Sequence, residues 1–187
     1  VASSLPVRDD DGVANNVARV VSPRGRIAEQ RKLIMTRFER EQWRVQGGRD
    51  VTVFDTRIGK FGVAICYDVE FPLIARAMSD AGAAMILAPS CTDTLHGYHR
   101  VRVGAQARAL ENQCYVVHAP TVGEALWSPA VDRNVGAAGV YGPPDLGFPD
   151  DGVVARGRMN EPMWLYAELD LTAITRVRME GAVFNDK

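Results

Sequence analysis

The segment Phe61-Gly62-Val63-Ala64-Ile65-Cys66-Tyr67-Asp68-Val69-Glu70-Phe71-Pro72 predicts a strand that turns sharply into a helix. Its apolar first half is typical of a buried strand, and the proline followed by 73–78 (LIARAM) indicates the first turns of a helix. Cys66 stands at the junction. A cysteine held on such a turn has an exposed sulfur, and a helix N-terminus stabilises its thiolate. The layout is that of a nucleophile elbow. The alternative is a small buried thiol that only fills space.

The composition indicates a single globular domain. The chain has 187 residues, of which 47% are hydrophobic and 24% charged, enough for one core. A net charge of -1 excludes a strongly basic surface for nucleic acid or an anionic membrane, and no apolar run approaches the roughly 18 residues of a membrane span. Cys66, Cys91 and Cys114 show neither metal spacing nor an even-numbered disulfide framework. We therefore predict that the chain has no metal site and that the protein is located in the reducing cytoplasm.

The order of predicted elements indicates a layered α/β fold. Strands alternate with helices in the middle of the chain, and hairpin-like pairs lie at both ends, which argues against a pure Rossmann sheet. The glycine- and proline-rich stretch 123–149 is predicted to be mostly loop. The predicted strands cover 1–6, 13–21, 51–54, 62–65, 84–88, 114–119, 137–141, 151–158 and 164–169, and the predicted helices cover 39–43, 70–81, 98–112 and 171–179. All of them form one domain over 1–187.

Four motifs, in this order, resemble the carbon–nitrogen hydrolases of the nitrilase superfamily. They are 20–25 (VVSPRG), similar to the family's hairpin before its lysine; 32–35 (KLIM), similar to that lysine and its short apolar run; 66–72 (CYDVEFP), similar to the nucleophile motif; and 108–112 (RALEN), similar to the end of a core helix. Each motif alone is a weak signal, but their order and spacing together are specific. The resemblance covers nearly the whole chain.

The resemblance implies an α-β-β-α sandwich that hydrolyses a non-peptide C–N bond, in an amide first and otherwise in a nitrile or N-carbamoyl compound. Cys66 would be the nucleophile that forms a thioester. Lys32 and the backbone N–H of Tyr67 would stabilise the oxyanion, with a solvated strand-edge lysine as the alternative for Lys32. No cofactor is implied. A homodimer or larger homo-oligomer, associating through outward-facing helices, is implied.

Further candidate residues follow from the same resemblance. Many members of the family have a glutamate after the lysine that braces it and shapes the pocket. Glu39 is our first choice and Glu41 the second, with a helix-start carboxylate as the alternative. Ser90 and Cys91 follow a strand that points to the same end of the sheet, so they could line the substrate pocket or belong to a plain loop. Structural roles are predicted for Asp68, Arg108 and Glu111, and surface or packing positions for His96, His99 and His118.

The sequence departs from the family pattern at one point. The family's general-base glutamate lies on a strand end well before the lysine, whereas residues 1–31 contain one glutamate, Glu29, beside the lysine segment. We therefore expect that the chain is the C-terminal two-thirds of the domain, without its N-terminal strands and helices, and that full activity requires an upstream glutamate. The alternative function is a non-catalytic binding or assembly subunit that retains the fold but lacks the base.

Overall fold

The computed structural model describes residues 3–129 and 131–187 of the chain. Within these residues the strands form two main sheets and a small hairpin. The first sheet is antiparallel and consists, in spatial order, of β1 (Leu5–Arg8), β2 (Ala14–Val21) and β3 (Ile27–Arg31). The second sheet is mixed and consists of β4 (Val53–Thr56), β5 (Gly59–Val63), β6 (Met85–Ser90), β7 (Tyr115–Pro120), β10 (Gly139–Tyr141) and β11 (Val153–Arg156). The hairpin pairs β8 (Gly123–Glu124) with β9 (Arg133–Asn134).

The second sheet has the spatial order β11-β10-β7-β6-β5-β4, and β5, β6 and β7 are parallel neighbours. The carboxyl ends of these three strands therefore meet at one edge of the sheet. The helices are α1 (Arg37–Glu41), a 3-10 helix (Cys66–Glu70), α2 (Pro72–Asp80), α3 (Leu95–Glu111) and α4 (Leu171–Glu180). Side-chain caps fix the starts of α1, α3 and α4, through Thr36, Thr94 and Asp170.

Two apolar clusters hold the layers together. One lies between the second sheet and the helices, and includes Met78 of α2, Ile86 of β6 and Val101 of α3. The other lies between the two sheets, where Ala18 of β2 packs with Phe61 of β5. The resulting order of layers is first sheet, second sheet, then α2 and α3, while Ile174 of α4 packs with Tyr115 of β7 in a third cluster. This arrangement confirms the predicted mixed α/β class. The site segments at 32–34 and 66–68 lie where the two sheets meet.

Several strands differ from the sequence-based prediction. β3 was not predicted, because its sequence IAEQR has no apolar alternation; its ladder with β2 holds it in place. The hairpin of β8 and β9 was also not predicted. The predicted strand over 164–169 is wrong: the segment has no ladder partner among the described residues, Leu165 and Leu169 pack on the core, and Trp164 is 83% exposed. The first predicted strand, 1–6, is seen as Leu5–Arg8; residues 3 and 4 are not in a strand, and residues 1 and 2 lie outside the described residues.

The predicted helix over 70–81 is confirmed over most of its length by α2, Pro72–Asp80, and a separate short element precedes it. A 3-10 helix begins at Cys66, and α2 begins at Pro72, because proline lacks an N–H and has a φ already suited to the first helical position. Helix α3 packs closely on the 3-10 helix through Gly104. A Cβ at that position would lie 3.0 Å from the carbonyl oxygen of Val69. Glycine at 104 therefore allows α3 to support the turn that carries Cys66.

Candidate active site

Cys66 lies on a strained turn directly after the strand β5. Its φ is 50°, in the left-handed region that a non-glycine residue adopts at a cost on the order of 1–3 kcal/mol. The ladder of β5 is continued by the N–H of Ala64, which donates to the carbonyl of Leu87 at 2.9 Å. The N–H of Asp68 then donates to the carbonyl of Ile65 at 3.0 Å and closes the turn. The backbone has the sharp reversal that the sequence predicts.

The half-buried sulfur of Cys66 faces the end of the neighbouring strand β6. Its Sγ–H donates to the carbonyl oxygen of Cys91 at 3.6 Å. Backbone hydrogen bonds from Cys91 and Tyr67 lower the pKa of the thiol, because they stabilise the thiolate. Because β5 and β6 are parallel, with Val63 opposite Leu87, the residue after β6 comes directly beside the turn after β5. The sulfur is thus surrounded by backbone polar groups.

The acidity of Cys66 differs from the sequence-based expectation. Burial raises the pKa of the thiol, and although the charge of Lys32 and the backbone bonds from Cys91 and Tyr67 lower it, the pKa stays above its usual value. The expectation of a lowered pKa was wrong because desolvation by burial outweighs the groups that favour the thiolate. The helix that begins at Cys66 is a five-residue 3-10 helix, too short to have much dipole, and the charge of Glu39 also raises the pKa of the thiol. The resting thiol therefore needs a proton acceptor.

Lys32 and Glu39 form a buried ion pair, and the charge of Lys32 lowers the pKa of the Cys66 thiol. Lys32 is 2% exposed and Glu39 is 7% exposed, and Nζ of Lys32 lies 2.5 Å from Oε2 of Glu39. The same oxygen accepts from the N–H of Thr36 at 2.9 Å and from its hydroxyl at 2.8 Å, while Oε1 accepts from Asn16 at 3.2 Å. Burial raises the pKa of Glu39, but Lys32 and Thr36 offset this and hold the pKa below its ordinary value. Glu39 therefore stays ionised.

A capping box at the start of α1 positions Glu39. Thr36 is the N-cap and accepts from the N–H of Glu39 at 3.3 Å, and the side chain of Glu39 reaches back to the N–H of Thr36. The sequence contains the signal for this arrangement, a threonine followed three residues later by a glutamate. Glu41, the second choice, is exposed and ion-paired with Arg37 at 2.9 Å. The structure thus brings Glu39, and not Glu41, to Lys32.

Asp68 connects the lysine segment with the cysteine turn. Its side chain is 1% exposed, and it accepts from the N–H of Leu33 at 3.1 Å, of Ile34 at 2.7 Å and of Ile65 at 3.3 Å. Burial raises the pKa of Asp68 to about 6, against the lowering effect of the Ile34 and Leu33 hydrogen bonds and of the Lys32 charge. The carboxylate therefore has the buried pairing role that we predicted for it.

The two pocket candidates lie in different environments. Ser90 is buried and its hydroxyl lies 2.8 Å from Nε2 of His118; its place in the substrate pocket stays a prediction. Cys91 is exposed and its backbone contacts the Cys66 sulfur. Its own Sγ–H donates to Oδ1 of Asn134 at 2.9 Å, which fixes the base of the β8–β9 hairpin beside the site. No signal in the sequence pointed to Asn134.

The remaining candidates lie away from the sulfur. Arg108 donates to the carbonyl of Val69 at 3.5 Å and to Glu111 at 3.2 Å, so this ion pair supports the turn from α3. His118 is buried, whereas His96 and His99 are exposed. Among residues 3–129 and 131–187, no group of three or more His, Cys, Asp or Glu side chains is placed to hold a metal ion. None of the helices in the same residues is both long and apolar enough to cross a membrane.

A half-buried cysteine on a strained turn thus lies near a buried lysine–glutamate pair, and the comparison with known proteins shows the family to which the chain belongs. The carbon-nitrogen hydrolase family model matches residues 1–179, and the chain belongs to that family. Its members include amidase-type enzymes. The match begins at residue 1 and does not itself support the expectation of a C-terminal two-thirds, which stays a prediction.

Three similar proteins illustrate the relationship. The probable hydrolase YhcX of Bacillus subtilis is 39% identical over 175 residues, which are 94% of this chain and 34% of that protein. The ω-amidase NIT3 of Saccharomyces cerevisiae is 36% identical over 132 residues, 70% of this chain and 42% of that protein. The crystal structure of Nit3 from the same yeast, a member of branch 10 of the nitrilase superfamily, superposes with a TM-score of 0.78 at 28% identity and covers 94% of this chain and 60% of that chain. The chain thus spans between 34% and 60% of the length of these relatives.

Proposed function

We propose that this protein hydrolyses small amides through a thioester on Cys66. The observation that carries the proposal is the buried ion pair of Lys32 and Glu39. The ammonium of Lys32 lowers the pKa of the Cys66 thiol. A buried ammonium beside a thiol supplies positive charge where an oxyanion would develop. The naming of one relative as an ω-amidase supports a terminal amide as the substrate. A nitrile and an N-carbamoyl compound are the other substrate classes to be tested.

In the proposed reaction the Cys66 sulfur attacks the carbonyl carbon of the amide. The S–C bond forms as the carbonyl electrons move to oxygen, and the oxyanion is stabilised by the ammonium of Lys32 and the N–H of Tyr67. One such donor is typically worth about 3 kcal/mol in the transition state. The C–N bond then breaks, the nitrogen leaves with the thiol proton, and water hydrolyses the thioester to the acid and the free thiol.

The thiol proton needs an acceptor, and Glu39 is poorly suited to that role. Its Oε2 already accepts from Lys32 and twice from Thr36, and its pKa is held low. We propose that Glu39 braces Lys32, and that the base is a glutamate of the kind the family has on an early strand. General-base catalysis is worth about 10²–10⁴-fold in rate. In a chain without this group, Cys66 would be acylated but the thioester would turn over slowly.

The test compares the 187-residue chain with the product of its coding sequence extended upstream. Both are assayed for ammonia release on one panel of amides and nitriles, with Cys66→Ala of the longer form as the control. A gain of about 10²–10⁴-fold in the longer form supports the proposal. Full turnover by the 187-residue chain would assign the base role to Glu39 or Glu41. No turnover by either form would favour the alternative, a binding or assembly subunit.

We also propose that the protein acts in the cytoplasm as a homodimer or larger homo-oligomer. The three cysteines are free thiols, which suits a reducing compartment.

The helices α2 and α3 expose Leu73 (80%), Val103 (62%) and Leu110 (44%), an apolar face typical of an interface. In sedimentation velocity, Val103→Glu should dissociate the assembly, whereas Ile58→Glu, an equally exposed position on the β4–β5 turn (73%), should not. A monomeric wild-type protein would refute the proposal.

A further inference from the structure

We infer that Asp68 is a positioning residue, which holds the lysine segment and the nucleophile turn at a fixed separation and so keeps the Cys66 thiol reactive. The inference rests on the proposed function only in taking Cys66 as the nucleophile. It goes beyond that function because it assigns the alignment of the site to a carboxylate that does not touch the substrate.

The contacts of Asp68 are the first argument. Its carboxylate accepts from the N–H of Leu33 and Ile34, the two residues that follow Lys32, and from the N–H of Ile65, the residue that precedes Cys66. One side chain therefore binds the backbone next to both functional residues. Hydrogen bonds from backbone N–H groups to an ionised carboxylate are among the stronger ones in proteins.

The topology is the second argument. The backbone of Lys32 is held on its other side by the first sheet: its N–H donates to Asn16 of β2 at 2.8 Å, and its carbonyl accepts from Gly48 at 2.8 Å. Cys66 lies on the turn that follows β5 of the second sheet. Apolar contacts hold the two sheets together elsewhere, but such contacts are non-directional. Asp68, 1% exposed, supplies directional bonds across this boundary at the site.

The charges around Asp68 suit such a role. Lys32 lies close enough to lower the pKa of Asp68, and Glu39 is paired with Lys32. Cys66 is on the same turn, and Arg108 of α3 donates to the carbonyl of Val69, the next residue in the chain. With the carboxylate neutral, one of its oxygens would become a donor and could no longer accept a backbone N–H. The lysine segment would then be held less firmly.

The experiment measures the rate of iodoacetamide alkylation of Cys66 from pH 5 to 9, by peptide mass mapping, in the wild type, Asp68→Asn and Asp145→Asn. Asp145 is a matched control, because it accepts from the N–H of Leu146 and Ala182 and from Gln113, far along the chain from the site. In Asp68→Asn, the thiolate should lose part of the stabilisation by Lys32, so its pKa should rise. Each unit of that rise slows alkylation about threefold at neutral pH, since a more basic thiolate is also more nucleophilic.

The expected result is alkylation about threefold to tenfold slower in Asp68→Asn and within twofold of wild type in Asp145→Asn, with both variants folded by circular dichroism. A folded Asp68→Asn protein with wild-type alkylation overturns the inference. Restored alkylation in Asp68→Glu, which returns a carboxylate, would support it. Alkylation reads the thiol without amide turnover, so the inference and the proposed function fail separately.

If Asp68→Asn does not fold, the wild-type protein provides a second measurement. The amide signals of Leu33 and Ile34 report the charge of Asp68 in an NMR titration. The alkylation rate of Cys66 should show an extra inflection at the pH where those two signals shift, near pH 6 from the raised pKa of Asp68. Alkylation that follows a single thiol ionisation through that range would contradict the inference.

Discussion

Replacing Lys32 with methionine should destabilise the protein and slow the reaction of Cys66, and a second substitution should separate the two effects. Lys32→Met leaves the ionised Glu39 buried without its cation. Breaking a buried ion pair in this way typically costs about 3–5 kcal/mol. Glu39 keeps its bonds from Thr36 and Asn16, so we expect the lower end, about 3 kcal/mol.

The double variant Lys32→Met with Glu39→Gln removes the stranded charge but does not restore the cation. The amide oxygen of glutamine can still accept from Thr36, so about 2 kcal/mol of the loss should be recovered. The pKa of Cys66 should nevertheless stay above its wild-type value, because the lost charge of Lys32 lowers that pKa more than the lost charge of Glu39 raises it. Alkylation at neutral pH should therefore remain slow in the double variant.

Urea unfolding gives the free energies, and iodoacetamide kinetics against pH give the thiol reactivity. Lys60→Met is the matched control, since Lys60 is half-exposed and lies 3.9 Å from Asp55; such a surface pair is worth at most about 1 kcal/mol. A loss of less than about 1 kcal/mol in Lys32→Met would refute the reasoning. Full recovery of alkylation in the double variant would refute it as well.

Three further predictions concern the thiols, the lysine and a buried histidine. Cys66 should be alkylated before Cys91 and Cys114, because the charge of Lys32 and the backbone hydrogen bonds from Cys91 and Tyr67 favour its thiolate, whereas Cys114 is fully buried; peptide mapping after limited iodoacetamide tests this. Lys32→Arg should remove most amidase activity of a competent form, because a planar guanidinium cannot place a compact charge at the same point, and near wild-type turnover would argue against Lys32 as oxyanion donor. Burial lowers the pKa of His118 from 6.5 to about 4, so the unfolded state binds the proton first as the pH falls from 6.5 to 4. The wild type should then lose about 3 kcal/mol over that range, which His118→Gln should not lose in thermal unfolding, and parallel pH curves would contradict the buried neutral imidazole.

The nucleophile turn could be predicted from the sequence because its signals are local. An apolar strand, a cysteine and a proline at the start of a helix lie within twelve residues, and the structure has the turn at Cys66. The position of Lys32 came from a resemblance, and not from any local pattern. Glu39 could have been assigned with more certainty, since a capping box is visible in 36–39.

Other features depend on contacts between distant residues. Strand β3 forms through its ladder with β2, although IAEQR has little strand character of its own. The segment 164–169 has strand-like residues but no partner among the described residues. The pKa of Cys66 was predicted with the wrong sign, because charges near the thiol can be inferred from motifs whereas its desolvation cannot. The bonds of Asp68 likewise join residues 33, 34 and 65, which no local pattern connects.

The central claim is that Cys66 forms a thioester with the acyl part of an amide. Mass spectrometry of the peptide that contains Cys66, after rapid quenching of the protein with the amide it turns over fastest, tests this most directly. The account predicts a mass increase equal to the acyl group on Cys66, removed by hydroxylamine and absent in Cys66→Ala. Ammonia release that persists in Cys66→Ala, or an acyl group found on Cys91 instead, would contradict it.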